Sequence, residues 1–383
     1  MHVSEATLLI SGAGPTGCTL ALQLAQWLRS APHVQTAPVR IILRGVSGED
    51  AARDAAPSPP LSPRTLALNQ GSCALLQALG VDVAGADILT VHVSQKNRLG
   101  RTLIEHHALG QPRLGRVVTY ADLRRRLRSA VQAVAHNGGI TLQHADEPLP
   151  DDSALHIVSD GQPPRHVQRH YHQHAVLAVV RASQPHPQWA FERFTREGPL
   201  ALLPHPAGPD VYSAVWCCPP AAAQWRHTCD AAAFDAALNE QFGQRLGRLT
   251  LTGERLYVPL ALHAGPQWTG GRQVIIGNAA QTLHPVAGQG LNLALRDVAQ
   301  LAQALRPWLH QPALPLEPLL QGFQQKRAID RWLTVGITDV LPRVFATGNP
   351  LLEHACGLAL LGLDASRRLR LPLARHLLQG LRG

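Results

Sequence analysis

The stretch Gly12-Ala13-Gly14-Pro15-Thr16-Gly17 constrains this chain more than any other feature. It lies between the apolar run Thr7-Leu8-Leu9-Ile10, which reads as a buried strand, and Thr16 to Leu28, whose apolar spacing reads as a helix. Val39 to Leu43 follows as a second buried strand, completing a βαβ unit. In such a turn the first glycine makes the tight bend, the second admits a pyrophosphate, and the third lets helix and strand pack closely. Amides of the first helical turn then face the phosphate charge. One customary part is missing. The second strand runs into Arg44, where an acidic residue ordinarily bonds the adenosine ribose, and Glu49 or Asp50 in the next loop are the nearest substitutes.

Farther along, helical spacing marks Ala67 to Leu79, Tyr120 to Ala135 and Ala231 to Leu246. Short alternating strands occupy Val91 to Val118. Four β-like runs, Val176–Arg181, Trp189–Phe194, Leu200–Leu203 and Val211–Trp216, are separated by Pro and Gly and predict a mainly antiparallel sheet. Trp189, Phe191 and Trp216 fall within it, either as core or as pocket lining. Val274-Ile275-Ile276 reads as another buried strand, followed by a Gly/Pro-rich loop and the helix Leu291 to Leu305. From Pro342 the chain is rich in Leu and Arg and reads as helical.

Composition excludes several classes. Of 383 residues, 45% are hydrophobic and 16% charged, which suits a folded chain and not a disordered one. The net charge of +9 comes almost entirely from Arg, since Lys occurs only at Lys96 and Lys326. Arg suits phosphates and anionic lipid surfaces. No nucleic-acid module accompanies the charge, so nucleic acid is not an expected partner. The six cysteines form no CxxC pair, and His166, His170, His172 and His174 lack matching acids, so no metal is expected. No secretory n-region precedes the first strand, and no apolar run approaches the roughly 20 residues of a membrane span. The expectation is a cytoplasmic protein, with peripheral contact at the inner membrane surface as its extension.

The most specific segment is Ile276-Gly277-Asn278-Ala279-Ala280-Gln281-Thr282-Leu283-His284-Pro285, continuing through Gly288-Gln289-Gly290-Leu291-Asn292 to Leu295-Arg296-Asp297. Gly288 and Gly290 allow the backbone to lie against a planar ligand, and the helix starting near Leu291 aims its amides at it. This segment resembles the second flavin motif of the p-hydroxybenzoate-hydroxylase class and, more narrowly, the UbiH/VisC ubiquinone-biosynthesis hydroxylases. The resemblance extends over most of the chain. Ser62-Pro63-Arg64 with Ala67-Leu68, Tyr120-Ala121-Asp122-Leu123 and Gly198 to Pro204 keep the family's order, and Asp160-Gly161 sits where the family has an Asp-Gly motif tied to flavin and reduced nicotinamide.

The resemblance implies an α/β flavoprotein: a Rossmann-like FAD-binding domain of three-layer ββα type, an interleaved, mainly antiparallel substrate domain, and a helical C-terminal tail. The expected division is 1–80, 101–172 and 270–340 for FAD, 81–100 and 173–269 for substrate, and 341–383 for the tail. It also implies an FAD-dependent monooxygenase that uses NADH or NADPH and O₂, forms a flavin C4a-hydroperoxide and hydroxylates a polyprenylated phenol. A quinone-synthesis protein assembly is a further implied partner. The implied cofactor-binding residues are Gly12, Gly14, Pro15, Thr16, Gly17, Arg64, Asp160, Gly161, Gly277, Asn278, Pro285, Gly288, Gln289, Gly290, Leu291 and Asn292. His284 and Pro285 are placed near flavin or substrate, with a loop-fixing hydrogen bond as the alternative for His284. Three positions depart from the pattern. Asn278 replaces an Asp that bonds the ribityl chain, Ser62 replaces an Asp before Pro-Arg, and the segment Gln162 to His172 is short. Two alternatives stay open: a flavin oxidoreductase without oxygen insertion, and a flavin-poor scaffold.

Overall fold

The computed structural model describes residues 5–30, 37–45, 59–98, 100–150, 152–161, 167–268, 270–285, 288–345 and 350–375, except 367, 369 and 373. Glu49, Asp50, His166, Val286 and Ala287 lie outside the described residues.

Apolar β-branched and Leu residues at the N-terminus build the first layer. Ala6–Ser11 is the middle strand of a five-stranded sheet in the order Gln273–Ile275, Leu155–Val158, Ala6–Ser11, Val39–Arg44, Thr141–Gln143. Every pairing in it is parallel. Both faces are covered, as an all-parallel sheet requires, which is why Leu8 and Ile10 are fully buried. Helices Pro15–Ser30, Tyr120–His136 and Gln289–His310 supply apolar faces to the same core, through Leu20 and Leu24, Leu123 and Leu127, and Leu301 and Leu305. Thr119 caps Tyr120–His136 by accepting from the Asp122 amide.

A second, nine-stranded sheet is antiparallel except where Trp189–Phe194 runs parallel to Thr90–Gln95. One face packs on helix Ala231–Phe242 through Phe234, Leu238 and Phe242. Trp216 and Phe191 belong to this core and Trp189 packs against it, so the pocket-lining alternative for them is not realised. A third sheet of three strands joins Thr65–Asn69, Gly115–Thr119 and Ala86–Ile88. The architecture is the expected one: a Rossmann-like parallel sheet with an interleaved antiparallel sheet and helices at the C-terminal side.

Several boundaries move. Ala67 to Asn69 is strand, because Asn69 caps the helix by accepting from the Ser72 amide and the helix begins at Gln70. Arg101–Glu105, expected with the nucleotide-binding part, pairs with Thr90–Gln95 in the nine-stranded sheet. That sheet also takes in Val167–Ala182, whose first residues were expected on the other side. Helix Ala231–Phe242 stops four residues early, because Gly243 adopts φ +84 and turns the chain. Helix Leu316–Phe345, absent from the sequence reading, packs along Gln289–His310. The C-terminal helix Pro350–Ala365 docks on the edge strand Arg101–Glu105: Thr102 donates to the Leu360 carbonyl at 2.6 Å and Asp364 accepts from the Leu103 amide at 3.0 Å. Its approach needs Gly100, since a Cβ there would overlap the Gly357 backbone.

Candidate cofactor site

The Gly12–Gly17 turn sits at the carboxyl end of the central strand, where open α/β sheets bind ligands. Gly12 has φ +110 and donates to the Arg44 carbonyl at 2.9 Å, making the bend. A Cβ at Gly17 would overlap the Gly12 carbonyl oxygen, so only glycine lets the helix come this close. At Gly14 the added atom would meet nothing within 4 Å. The three glycines thus differ: Gly12 makes the bend, Gly14 borders open space and Gly17 allows close packing.

Two distant segments close on this turn. Ser159, at the end of strand Leu155–Val158, donates from Oγ to the Ser11 and Gly12 carbonyls at 2.9 and 3.1 Å. Asp160 lies against Gly12, and Gly161 leaves the strand with φ +96. Gly277, with φ +62, sits so close to Thr16 that a Cβ would come within 2.9 Å of its methyl group. Asn278 follows on a single 3₁₀ turn and is exposed beside this junction. The first and second motifs therefore meet at Thr16 and Gly277.

A second group of contacts is built around the start of Gln289–His310. Gly288 caps this helix in the left-handed region and packs on Ala67, and Gly290 faces open space. The Asn292 side chain is a clamp. It donates to the Ala67 and Gly288 carbonyls, both at 2.7 Å, and accepts from the Asn69 amide and Ser72 Oγ, both at 2.8 Å. With its polar atoms committed to the protein and only 2% exposure, Asn292 positions the loop. Gln289 accepts from Arg296 at 3.1 Å and is likewise buried, while Leu291 packs on the parallel-sheet core. Arg64 is exposed, its guanidinium 5.4 Å from the Tyr120 ring centre.

His284 has no exposed surface, and its Nε2 lies 3.2 Å from Gln173 Oε1. Desolvation pushes its pKa down to about 4, so the ring is neutral. The Gln173 contact ties the His284 loop to strand Val167–Ala182. Pro285 is half-buried beside it, at the edge of the described residues. His205, unremarked in the sequence, ties the Ser62 segment to the nine-stranded sheet. It accepts at Nδ1 from the Ala207 amide, which leaves Nε2–H to donate to the Ser62 carbonyl at 3.1 Å.

A buried ion cluster supports the second motif, and sequence reasoning missed most of it. Asp297, fully buried, accepts from the Gly277 amide at 3.3 Å, from Gln281 Nε2 at 2.9 Å and from Arg327 Nε at 2.7 Å. Arg327 also pairs with Asp330, which binds Arg296 at 2.8 Å. Arg331 holds Gln281 and the carbonyls of Gly265 and Ala280. Burial, opposed by Asp297 and aided by the Arg327 charge, drives the Arg331 pKa down to about 10, and it remains charged at neutral pH. The available signal was the oppositely charged i, i+3 spacing of Arg327 and Asp330.

At the adenosine end the Arg44 guanidinium donates to the carbonyls of Ala145 and Glu147. It does not reproduce a ribose-binding carboxylate. Among the described residues no cluster of His, Cys, Asp or Glu has the form of a metal site.

Residues 160–328 match the FAD binding domain family. The chain superposes on PqsL, a probable FAD-dependent monooxygenase from Pseudomonas aeruginosa, with TM-score 0.69 at 16% identity, covering 93% of this chain and all of that one. It superposes on the p-nitrophenol 4-monooxygenase PnpA of Pseudomonas putida with TM-score 0.70 at 13% identity, covering 99% and 100%. The fold is that of the FAD-binding monooxygenases. Among curated proteins, the ubiquinone hydroxylase UbiL of Rhodospirillum rubrum is 33% identical over 54% of this chain and 48% of its own length. The 3-demethoxyubiquinol 3-hydroxylase of Escherichia coli is 27% identical over 54% and 53%. The chain spans about half the length of the curated relatives it matches. The clearance at Gly14 and Gly290, the paired turns at Thr16 and Gly277, and the helix N-terminus at Gly288 fit the pyrophosphate and flavin ends of FAD; Arg44 is the part that departs.

Proposed function

We propose that this chain binds FAD along the crevice from Gly14 to Gly290 and uses it, with NADH or NADPH as transient reductant and O₂ as co-substrate, to hydroxylate a polyprenylated phenol in ubiquinone synthesis. The observation that carries the reading is the convergence of the Gly12–Gly17 turn, Asp160 and Gly277 at one end of a crevice whose other end is the glycine-started helix at Gly288. The names of the Rhodospirillum rubrum and Escherichia coli relatives favour the phenol. When bound, FAD supplies the activation of O₂. The chain's own part is positioning. The amides near Gly14 to Gly17 bear the pyrophosphate charge, Asn278 reaches the ribityl chain as a neutral hydrogen-bond partner, and Arg64 and the Gly288 turn approach the flavin. We assign the parallel and three-stranded sheets to cofactor binding and the nine-stranded sheet, including Arg101–Glu105, to substrate.

Gly14→Val tests the reading well. A Cβ at Gly14 meets no protein atom, so the variant folds, while its methyl groups occupy the proposed pyrophosphate position. The expected result is a colourless protein with an unchanged far-UV spectrum; stoichiometric flavin in the folded variant would sink the placement. Incorporation of label from ¹⁸O₂ into a prenylated phenol separates hydroxylation from simple dehydrogenation. A second reading, a flavin-poor scaffold, is favoured by Arg44, whose guanidinium is turned onto the Ala145 and Glu147 carbonyls. A visible spectrum of the purified protein without flavin bands would favour it.

A further inference from the structure

Between Arg327 and Val340, helix Leu316–Phe345 buries polar side chains and exposes apolar ones. Arg327, Asp330, Arg331, Thr334 and Thr338 are buried, whereas Ile329 is 69% exposed and Trp332, Leu333 and Val340 are 45–49% exposed. A helix facing water on its outer side normally does the reverse. Next to it, Pro350–Ala365 exposes Leu358 at 68% and Leu361 at 48%, along with the small residues Ala355, Ala359 and Gly362. The two helices are in contact, through the cluster of Phe345, Cys356 and Leu360. Of the ten large exposed apolar side chains among the described residues, six lie on these two helices. Scattered apolar residues need no explanation, but a concentration of this kind marks a surface with a partner other than water.

We propose that this face rests on an anionic lipid bilayer. Charge selects that occupant. Lys326 is exposed one turn before Ile329 on the first helix, and Arg368 and Arg375 are exposed beyond the second. Among described residues 325–340 and 354–365 no exposed residue is Asp or Glu; Asp330 and Asp339 are buried and Asp364 is paired with Arg370. A second copy would bring the same cations against these and, from described residues 325–340 and 354–365, no exposed carboxylate in return. Anionic headgroups complement them, and Trp332 has the side chain that settles at a membrane interface. From Ile329 to Val340 the stripe runs about 16 Å, enough to lie in the interfacial plane with apolar side chains entering the acyl boundary. No helix of the described residues is long and apolar enough to cross a membrane, so contact here is lateral. Among the described residues of the Arg- and Leu-rich C-terminal segment, Leu371 and Ala374 are packed against the protein. The proposal does not depend on the substrate reading.

Flotation of the purified full-length protein with vesicles tests it, using phosphatidylcholine alone and phosphatidylcholine with 30% phosphatidylglycerol as a starting composition of about that ratio. The protein should float with the anionic vesicles. The triple variant Ile329→Ser, Trp332→Ser, Leu358→Ser should lower the bound fraction at least about tenfold. Arg368→Gln with Arg375→Gln should remove about tenfold or more of the preference for anionic over neutral vesicles. All the altered side chains are solvent-exposed, and unchanged far-UV spectra and urea midpoints confirm that the variants fold. Wild-type protein that stays unbound with both vesicles, or a triple variant that floats like wild type, overturns the proposal. So does a wild-type dimer in sedimentation equilibrium that the triple variant converts to monomer, since a second copy would then cover the face.

Discussion

Asp297→Asn removes the charge at the centre of the buried cluster while keeping the side chain's shape. The wild-type carboxylate accepts three hydrogen bonds, from the Gly277 amide, Gln281 and Arg327, in a site with no exposed surface. Asparagine offers one acceptor oxygen, so its amide group must face either Arg327 Nε or the Gly277 and Gln281 donors. Breaking one side of a buried ion pair costs about 3–5 kcal/mol. Arg327 keeps Asp330 as an ionic partner, which argues for the lower end, about 3 kcal/mol. The Gly277 turn should also loosen, because its amide loses a charged acceptor next to Thr16. Urea unfolding reads the first effect, and fluorescence titration of apoprotein with FAD reads the second. The double variant Asp297→Leu, Arg327→Met separates them: an apolar pair restores much of the stability, but the Gly277 amide stays unpartnered and FAD binding stays weak. If Asp297→Asn left both the urea midpoint and the FAD affinity unchanged, the account of the cluster as a support for the cofactor turn would be wrong.

His284 and His92 are both held neutral, with pKa values down to about 4, His284 by desolvation and His92 by desolvation reinforced by Arg245 and Arg101. A buried neutral His is protonated in the unfolded chain near 6.5 and not in the folded one until much lower pH, so stability is full above 6.5 and is lost as pH falls toward 4. Going from pH 7 to pH 5 should cost about 2 kcal/mol per His, and a flat urea midpoint over that range in wild type would contradict it. Asn278→Asp should tighten FAD retention by about 1 kcal/mol through a charge-assisted bond to the ribityl chain, measured by titration of apoprotein; weaker binding would move Asn278 away from that contact.

What was legible in the sequence is what local geometry dictates. Gly12, Gly17, Gly277 and Gly288 could be read because a bend, a close backbone approach or a left-handed cap excludes other residues at those positions. The long apolar runs of the parallel strands were equally plain, since a strand buried on both faces has no alternation to misread. Asn69 was not read as a cap because apolar Ala67 and Leu68 before it fit either a strand or a helical face, and only pairing with Gly115–Thr119 decides between them.

Helix Leu316–Phe345 escaped for a different reason, and the same reason explains what the site needs. Periodicity reasoning assigns charge to the outside, whereas this helix turns Arg327, Asp330 and Arg331 inward to meet Asp297, Gln281 and the carbonyls of Gly265 and Ala280. Those partners come from a loop whose backbone is irregular around Gly277 and therefore cannot satisfy its own amides and carbonyls. A regular helix on an apolar core would need no such partners, but a turn shaped to clear a cofactor does, and long guanidinium groups reach several acceptors at once. The inverted pattern follows from that demand. With Arg327, Asp330 and Arg331 committed to the loop, the stretch from Ile329 to Val340 presents Ile329, Trp332, Leu333 and Val340 outward, so polar support of the loop inside and an apolar stripe outside are two consequences of one sequence.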